Sequence, residues 1–334
     1  MQLAWNQHTI PKYESYVRAM AKRLTIATGI CIFLGLSVVL YISSSSSTRT
    51  SPASAGTTEI DSRDHSAQWF FKAKTTRLKG VALVVHGLNL KPDRMHSITA
   101  FLNDAGVDVL NVSLKGHGNN FLWNMKIPME EARLESFRNV TYDLWLDEVH
   151  RAYLKVARRA SEKNVPVLFV GYSLGGLLGC DLALTHPDVS YDRMILFAPA
   201  FNISAESYLL KALTPFPNVV IDSLSPVSYR ANDGTPMAAY KALFEARDHF
   251  ENNITDRLNK PSVLFIDEKD EFISCSKLQQ MIVSNGLDRW QIHIVQKDLD
   301  LKEKLSHHLI IDQAAVGEGT WRDMTSIMRR HVSK

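Results

Sequence analysis

From about residue 69 onward, short apolar runs alternate with stretches whose apolar residues recur at helical spacing. Short runs rich in Val, Ile and Phe are typical of buried strands, and apolar residues at i, i+3, i+4 and i+7 are typical of helices. This alternation predicts an α/β fold with a mostly parallel central sheet flanked by helices. The predicted strands are 69–71, 80–86, 107–112, 167–171, 194–198, 262–266 and 290–295, and the predicted helices include 97–105, 130–135, 141–160, 237–250 and 321–332.

Residues 201–260 interrupt the alternation. They combine loop signals at several prolines with one helical stretch, which predicts an insertion between two strands of the sheet.

Residues 24–42 form an uncharged apolar run near the N-terminus. At about 1.5 Å per residue, such a run can cross the hydrocarbon core of a bilayer as a helix. Lys12, Arg18, Lys22 and Arg23 precede it, and Arg49 is the one cation close behind it. The positive-inside rule then places the N-terminus in the cytoplasm and the remaining chain across the membrane, in a periplasmic or extracellular/lumenal space.

This organisation predicts a cytoplasmic tail (1–23), a transmembrane anchor (24–43), a Ser/Thr-rich linker (44–61) and a folded domain (62–334). A signal peptide cleaved near Ala55 is the alternative.

Composition excludes several other classes of protein. The 334 residues are 45% apolar and 22% charged, which is a globular composition. A net charge of +3, without a long basic run in the folded domain, argues against nucleic acid as a partner. Cys31, Cys180 and Cys275 are too few and too widely spaced for a disulfide scaffold or a zinc site.

The strand at 167–171 runs into Gly171-Tyr172-Ser173-Leu174-Gly175, and a helical pattern follows at once. A serine at the apex of a strand–turn–helix unit stands clear of the sheet, and the glycines leave room for the tight turn. The helix beginning there offers free N–H groups to an oxyanion. Ser173 is therefore the predicted nucleophile.

Other stretches complete the pattern: His86-Gly87-Leu88-Asn89 after the strand at 80–86, and later Gly116-His117-Gly118. Together with Gly-Tyr-Ser-Leu-Gly-Gly, they resemble α/β-hydrolase fold serine hydrolases, in the group of monoacylglycerol lipases, carboxylesterases and S33 aminopeptidases. The resemblance extends over roughly residues 68–333 and implies that the insertion at 201–260 is a cap over the active site.

The resemblance also implies roles for a triad in the chain order Ser, Asp, His. Asp270 matches the position of the acid best, with Asp267 as the alternative. His307 matches the position of the general base, and its neighbour His308 fits more loosely.

The oxyanion would be held by the backbone N–H groups of Leu88 and Leu174, which leaves a structural role for the His86 side chain. Without a cofactor or metal, such a site would cleave carboxylic esters, with an acylglycerol or related lipid ester as substrate. An S33-type aminopeptidase, a thioesterase, an acyltransferase and a non-catalytic binding protein are the alternatives. The expected partners are a small-molecule or lipid ester and, through the N-terminal helix, a membrane.

Overall fold

The computed structural model describes residues 66–123, 125–203, 210–298 and 305–333. The predicted anchor at 24–43 and linker at 44–61 lie outside these residues, so the anchor, its orientation and the signal-peptide alternative stay predictions. Across the described ranges, no helix is both long enough and apolar enough to cross a bilayer.

A seven-stranded sheet forms the centre of the described residues, in the order β1-β3-β2-β4-β5-β8-β9. Its strands are β1 (Ala67–Phe70), β2 (Gly80–Val85), β3 (Val107–Val112), β4 (Val167–Tyr172), β5 (Arg193–Phe197), β8 (Ser262–Ile266) and β9 (Trp290–Ile294). The edge strand β1 pairs antiparallel with β3, and the other neighbours are parallel. This confirms the mostly parallel sheet and the central position of β2.

Helices cover both faces of this sheet. They are α1 (His96–Asp104), α2 (Met129–Arg138), α3 (Tyr142–Lys163), α4 (Leu174–Thr185), α5 (Met237–Asn253), α6 (Cys275–Ser284), α7 (Gln313–Val316) and α8 (Glu318–Ser333).

Successive residues of β2 show the two cores. Val81 and Leu83 face one core, which α3 to α6 cover, whereas Ala82 and Val84 face the other core, with α1, α7 and α8. A strand buried on both faces reads as a continuous apolar run, which is why β2 and β4 were recognisable in the sequence.

The sequence prediction missed α6 and a small two-stranded sheet of β6 (Val220–Asp222) and β7 (Gly234–Pro236). Helix α6 has a readable start, because the Ser274 side chain accepts a hydrogen bond from the Lys277 N–H, and its buried Leu278 and Ile282 are at helical spacing. Strands of three residues are too short for an alternating pattern to show.

The insertion at 201–260 packs onto the core at two places. Its helix α5 lies against α4, where His249 Nδ1 is 2.8 Å from Asp181 Oδ1. Its backbone also pairs with the loop after β2, where Lys91 N–H donates to the Tyr229 carbonyl and Ala231 N–H donates to the Asn89 carbonyl. Residues 204–209 lie outside the description, and the role of the insertion as a cap stays a prediction.

Candidate active site

Ser173 lies at the junction between β4 and α4, with φ of 50° and ψ of −118°. Positive φ is uncommon for a residue with a Cβ and marks a backbone that the surrounding structure must hold. The Ser173 N–H donates to the Phe197 carbonyl at 2.9 Å, and the Ser173 carbonyl accepts from the Ala200 N–H at 3.1 Å. The neighbouring strand β5 and the loop after it therefore hold the serine at the apex of the turn.

The two glycines around the serine are required by close backbone approaches. A Cβ on Gly171 would lie 2.5 Å from Gly176 Cα, and a Cβ on Gly175 would overlap the Val85 carbonyl group. The helix can approach β2 and β4 this closely only because both positions lack a side chain.

The imidazole that contacts the serine belongs to His308. His308 Nδ1 donates to Asp270 Oδ2 at 2.8 Å, because an ionised carboxylate can only accept. His308 Nε2 is then the lone-pair nitrogen, and it lies 2.9 Å from Ser173 Oγ, which donates to it. Of the two predicted acids, Asp270 is therefore the one that is hydrogen-bonded to this histidine.

The sequence analysis assigned this position to His307, with His308 as the looser fit, and the structure places His308 beside Ser173. His307 Nδ1 donates to Asp267 Oδ2 at 2.7 Å, and its side chain is 37% exposed. The two histidines occupy the central positions of a turn in which Leu309 N–H donates to the Ser306 carbonyl. Adjacent side chains of such a turn point in different directions, so only one of them can reach Ser173.

The Asp270 carboxylate is completely buried, and both of its oxygens are engaged. Oδ1 accepts hydrogen bonds from the N–H groups of Phe272 and Ile273, at 2.8 and 2.9 Å, and Oδ2 accepts from His308. This arrangement orients the carboxylate toward His308. Tyr172 adds a further contact, since its hydroxyl donates to the His308 carbonyl at 3.3 Å.

The predicted oxyanion donors border the same serine. A Cβ on Gly87 would lie 3.1 Å from Ser173 Cβ, so the peptide leading into Leu88 is close to the nucleophile. Leu174 is the first residue of α4. Neither the Leu88 N–H nor the Leu174 N–H has a hydrogen-bond partner among the described residues, and their role as oxyanion donors stays a prediction.

His86 and His117 support the loop that carries Leu88. His86 Nδ1 donates to the Gly87 carbonyl at 2.8 Å, and its Nε2 accepts from the Leu114 N–H. His117 Nε2 accepts from the Asn89 N–H at 3.0 Å. Each ring thus binds the backbone of the loop carrying the other, and the ring centroids are 4.7 Å apart.

Burial keeps both of these rings neutral. Loss of hydration lowers the pKa of His86 to about 4 and holds the pKa of His117 well below its usual range, with the neighbouring His86 adding to the second effect. Both side chains are completely buried. The expected structural role of His86 fits this position. The contact of His117 with the Asn89 N–H was not predicted, although Gly116-His117-Gly118 was one of the stretches that carried the family resemblance.

Over the described ranges, no group of three or more His, Cys, Asp or Glu side chains could hold a metal ion. The groups around Ser173 are its hydroxyl, an imidazole hydrogen-bonded to a carboxylate, and the backbone N–H groups of Leu88 and Leu174.

A parallel α/β sheet with a serine on a sharp strand–helix turn defines an α/β hydrolase. The sequence profile of the serine aminopeptidase, S33 family matches residues 76–263. The chain belongs to this family. The matched region contains Ser173 and ends before Asp270 and His308.

Solved structures with the same fold include a soluble variant of the monoglyceride lipase from Saccharomyces cerevisiae. It is 11% identical, the match covers 86% of this chain and 98% of that one, and the TM-score is 0.64. A structure described under LipS and LipT, two metagenome-derived lipolytic enzymes, is 17% identical over 80% and 98%, with a TM-score of 0.60. The monoacylglycerol lipase of Paleococcus ferrophilus is 18% identical over 79% and 98%, with a TM-score of 0.54. No curated protein matches the sequence significantly.

Proposed function

We propose that the chain is a serine hydrolase that cleaves carboxylic esters, with Ser173 as nucleophile, His308 as general base and Asp270 as the acid that orients the imidazole. The observation that carries this proposal is the continuous series of hydrogen bonds from Asp270 Oδ2 through both nitrogens of His308 to Ser173 Oγ. A weak nucleophile is activated by an adjacent base, which a third group orients in turn.

The first half of the reaction forms an acyl-enzyme. Ser173 Oγ attacks the ester carbonyl while its proton moves to His308 Nε2, and the negative charge on the carbonyl oxygen is stabilised by the N–H groups of Leu88 and Leu174. The tetrahedral intermediate expels the alcohol, which takes the proton from His308. In the second half, water attacks the acyl-enzyme by the same route, and the acid leaves with Ser173 restored.

The local carboxylates favour an ester over a peptide with a free N-terminus. An aminopeptidase needs an uncommitted anionic group for the substrate ammonium. The carboxylates beside the two histidines, Asp267, Asp270 and Glu271, each accept hydrogen bonds from the protein itself. This leaves a neutral substrate as the better match.

An apolar side chain near the site supports an acyl chain as the group recognised. Phe272 lies edge-on to the His308 ring, with centroids 5.2 Å apart, and is 38% exposed. The lipolytic names of the similar structures agree with this substrate class, although at their identities they share only the fold with this chain.

A labelled fluorophosphonate probe tests the nucleophile. Ser173→Ala should abolish labelling, because the probe reacts only with an activated hydroxyl. Ser190→Ala, which removes an exposed serine hydroxyl, is the matched control and should label like wild type. Labelling that survives Ser173→Ala would place the reactive group elsewhere.

A substrate panel tests the reaction class. For alkyl and glycerol esters, kcat/KM should rise as the acyl chain lengthens beyond acetyl, because each buried methylene contributes up to about 0.8 kcal/mol, or about fourfold. Ser173→Ala measured on the same panel gives the background rate. A maximum at acetate, or a preference for peptide amides with a free N-terminus, would instead favour the aminopeptidase alternative.

A further inference from the structure

The turn that carries His308 is bound by two charged side chains that do not contact Ser173. This turn, residues 306–309, has His307 and His308 at its central positions. Central N–H groups of a surface turn normally face water. Here they are bound inside the protein instead.

One of these side chains is Glu271, which directly follows the triad acid. Its Oε1 accepts the His307 N–H at 3.0 Å, and its Oε2 accepts the His308 N–H at 3.1 Å. A single carboxylate thus binds two consecutive backbone donors, one with each oxygen. Hydrogen bonds to an ionised acceptor are about twice as strong as neutral ones.

The other side chain is that of Lys297, which follows β9. It binds carbonyl groups of the same turn, whereas Glu271 binds N–H groups. Its Nζ donates to the Ser306 carbonyl at 2.7 Å and to the Leu309 carbonyl at 2.8 Å. Burial lowers the pKa of Lys297, while nearby carboxylates, with Asp267 and Glu271 the strongest of them, oppose this. A partly buried ammonium needs partners of this kind to offset the hydration that it loses.

The triad places a strict demand on this turn. His308 Nε2 must remain within hydrogen-bond distance of Ser173 Oγ, and a displacement of about 1 Å costs on the order of 10²-fold in rate. The side-chain bond to Asp270 fixes one end of the ring, but it does not fix the backbone from which the ring projects.

We propose that Glu271 and Lys297 are positioning residues. Together they hold the turn at residues 306–309 so that His308 Nε2 stays within hydrogen-bond distance of Ser173 Oγ. This rests on the proposed function for its kinetic consequence, but the holding of the turn is a property of the folded chain. Neither residue takes part in proton transfer.

Glu271→Ala and Lys297→Met should each slow fluorophosphonate labelling by about 10- to 100-fold. Ester hydrolysis should lose kcat, with KM nearly unchanged, because neither side chain is placed in the substrate site. Glu271→Gln keeps one acceptor oxygen, and Lys297→Arg keeps a cation with several donors, so both should recover part of the rate.

Glu268→Gln and Lys269→Met are the matched controls, since they make the same charge changes at exposed positions of the acid loop. Both should label within about twofold of wild type, because exposed charges interact weakly through water. Melting temperatures identify any variant that fails to fold, and the conservative substitutions then replace it in the comparison.

Hydrogen exchange of the full-length protein tests the turn independently of activity. The amides of residues 305–311 should exchange faster in Glu271→Ala and Lys297→Met than in wild type or either control. Unchanged exchange, or labelling at the wild-type rate in both alanine and methionine variants, would overturn the positioning proposal. If wild type itself is not labelled at Ser173, the proposed function fails, and the exchange measurement alone decides whether these residues hold the turn.

Discussion

The site has two neighbouring histidines on its acid side and two on its oxyanion side, and the two pairs are bound in opposite ways. His307 and His308 each donate through Nδ1 to a carboxylate. His86 and His117 each accept a backbone N–H at Nε2 and are completely buried.

The comparison shows that the hydrogen-bond partners and the burial of a histidine, rather than its residue type, decide whether its ring can take up a proton. A carboxylate at Nδ1 stabilises the imidazolium that a general base must form. A backbone donor at Nε2 occupies the lone pair and stabilises the neutral ring, and burial acts in the same direction. Only a ring of the first kind can exchange a proton with Ser173, whereas a ring of the second kind can hold a loop.

The largest effect should come from the histidine at the serine. His308→Ala should lower kcat by about 10⁴-fold or more, since it removes the base. His307→Ala deletes the same side chain one residue away and should cost less than about tenfold. Steady-state ester hydrolysis with both variants, each verified as folded by circular dichroism, checks this. The reverse ranking would restore the role to His307.

The two carboxylates should differ in the same way as the two histidines, with the larger loss of kcat at Asp270. Asp270→Asn should lower kcat by about 10³- to 10⁴-fold, because an amide at this position cannot hold the imidazole in the required tautomer. Asp267→Asn makes the same change in the neighbouring pair and should leave kcat within about tenfold. Single-turnover acylation measures both without interference from product release. Equal losses would mean that the two pairs act as a unit.

The smallest expected effect is on the free energy of unfolding at acidic pH, and it tests the buried histidine His86. Unfolded His86 takes up a proton near pH 6.5, whereas folded His86 does so only near pH 4. Between these values the unfolded state binds more protons, so the free energy of unfolding falls as pH falls, by about 3 kcal/mol in all. Below the folded pKa this contribution is fully lost.

Urea denaturation at pH 7 and pH 4.5 measures this loss. Because carboxylates also titrate in this range, the comparison is between variants. His86→Gln should show a smaller loss between the two pH values than wild type, and His96→Gln, which removes an exposed histidine, should show the wild-type loss. An identical loss in all three proteins would mean that His86 is protonated in the folded state.

The position of Ser173 at the strand–helix turn was predictable because its signals are local. Gly171, Ser173 and Gly175 lie between an apolar strand and a helix, and the two glycines permit close contacts within that unit and with β2. The strands followed from the same kind of information, since β3 and β8 have the predicted bounds.

Which histidine contacts Ser173 was not predictable in this way. His307 and His308 are neighbours in the chain, and each finds a carboxylate about equally far away in sequence. The choice depends on which direction each side chain takes from the turn at residues 306–309. That direction depends on Glu271 and Lys297, which come from two other segments of the chain. A periodic pattern of apolar residues does not predict contacts of this kind.

The backbone of Ser173 has a consequence in evolutionary terms. A residue with a Cβ at φ of 50° and ψ of −118° costs on the order of 1–3 kcal/mol, and glycine at this position would relieve most of that strain. A descendant that no longer needed the reaction would therefore gain stability by exchanging this serine for glycine. Backbone stability alone favours glycine here, so a serine held in this conformation is what the proposed reaction, rather than folding, would require.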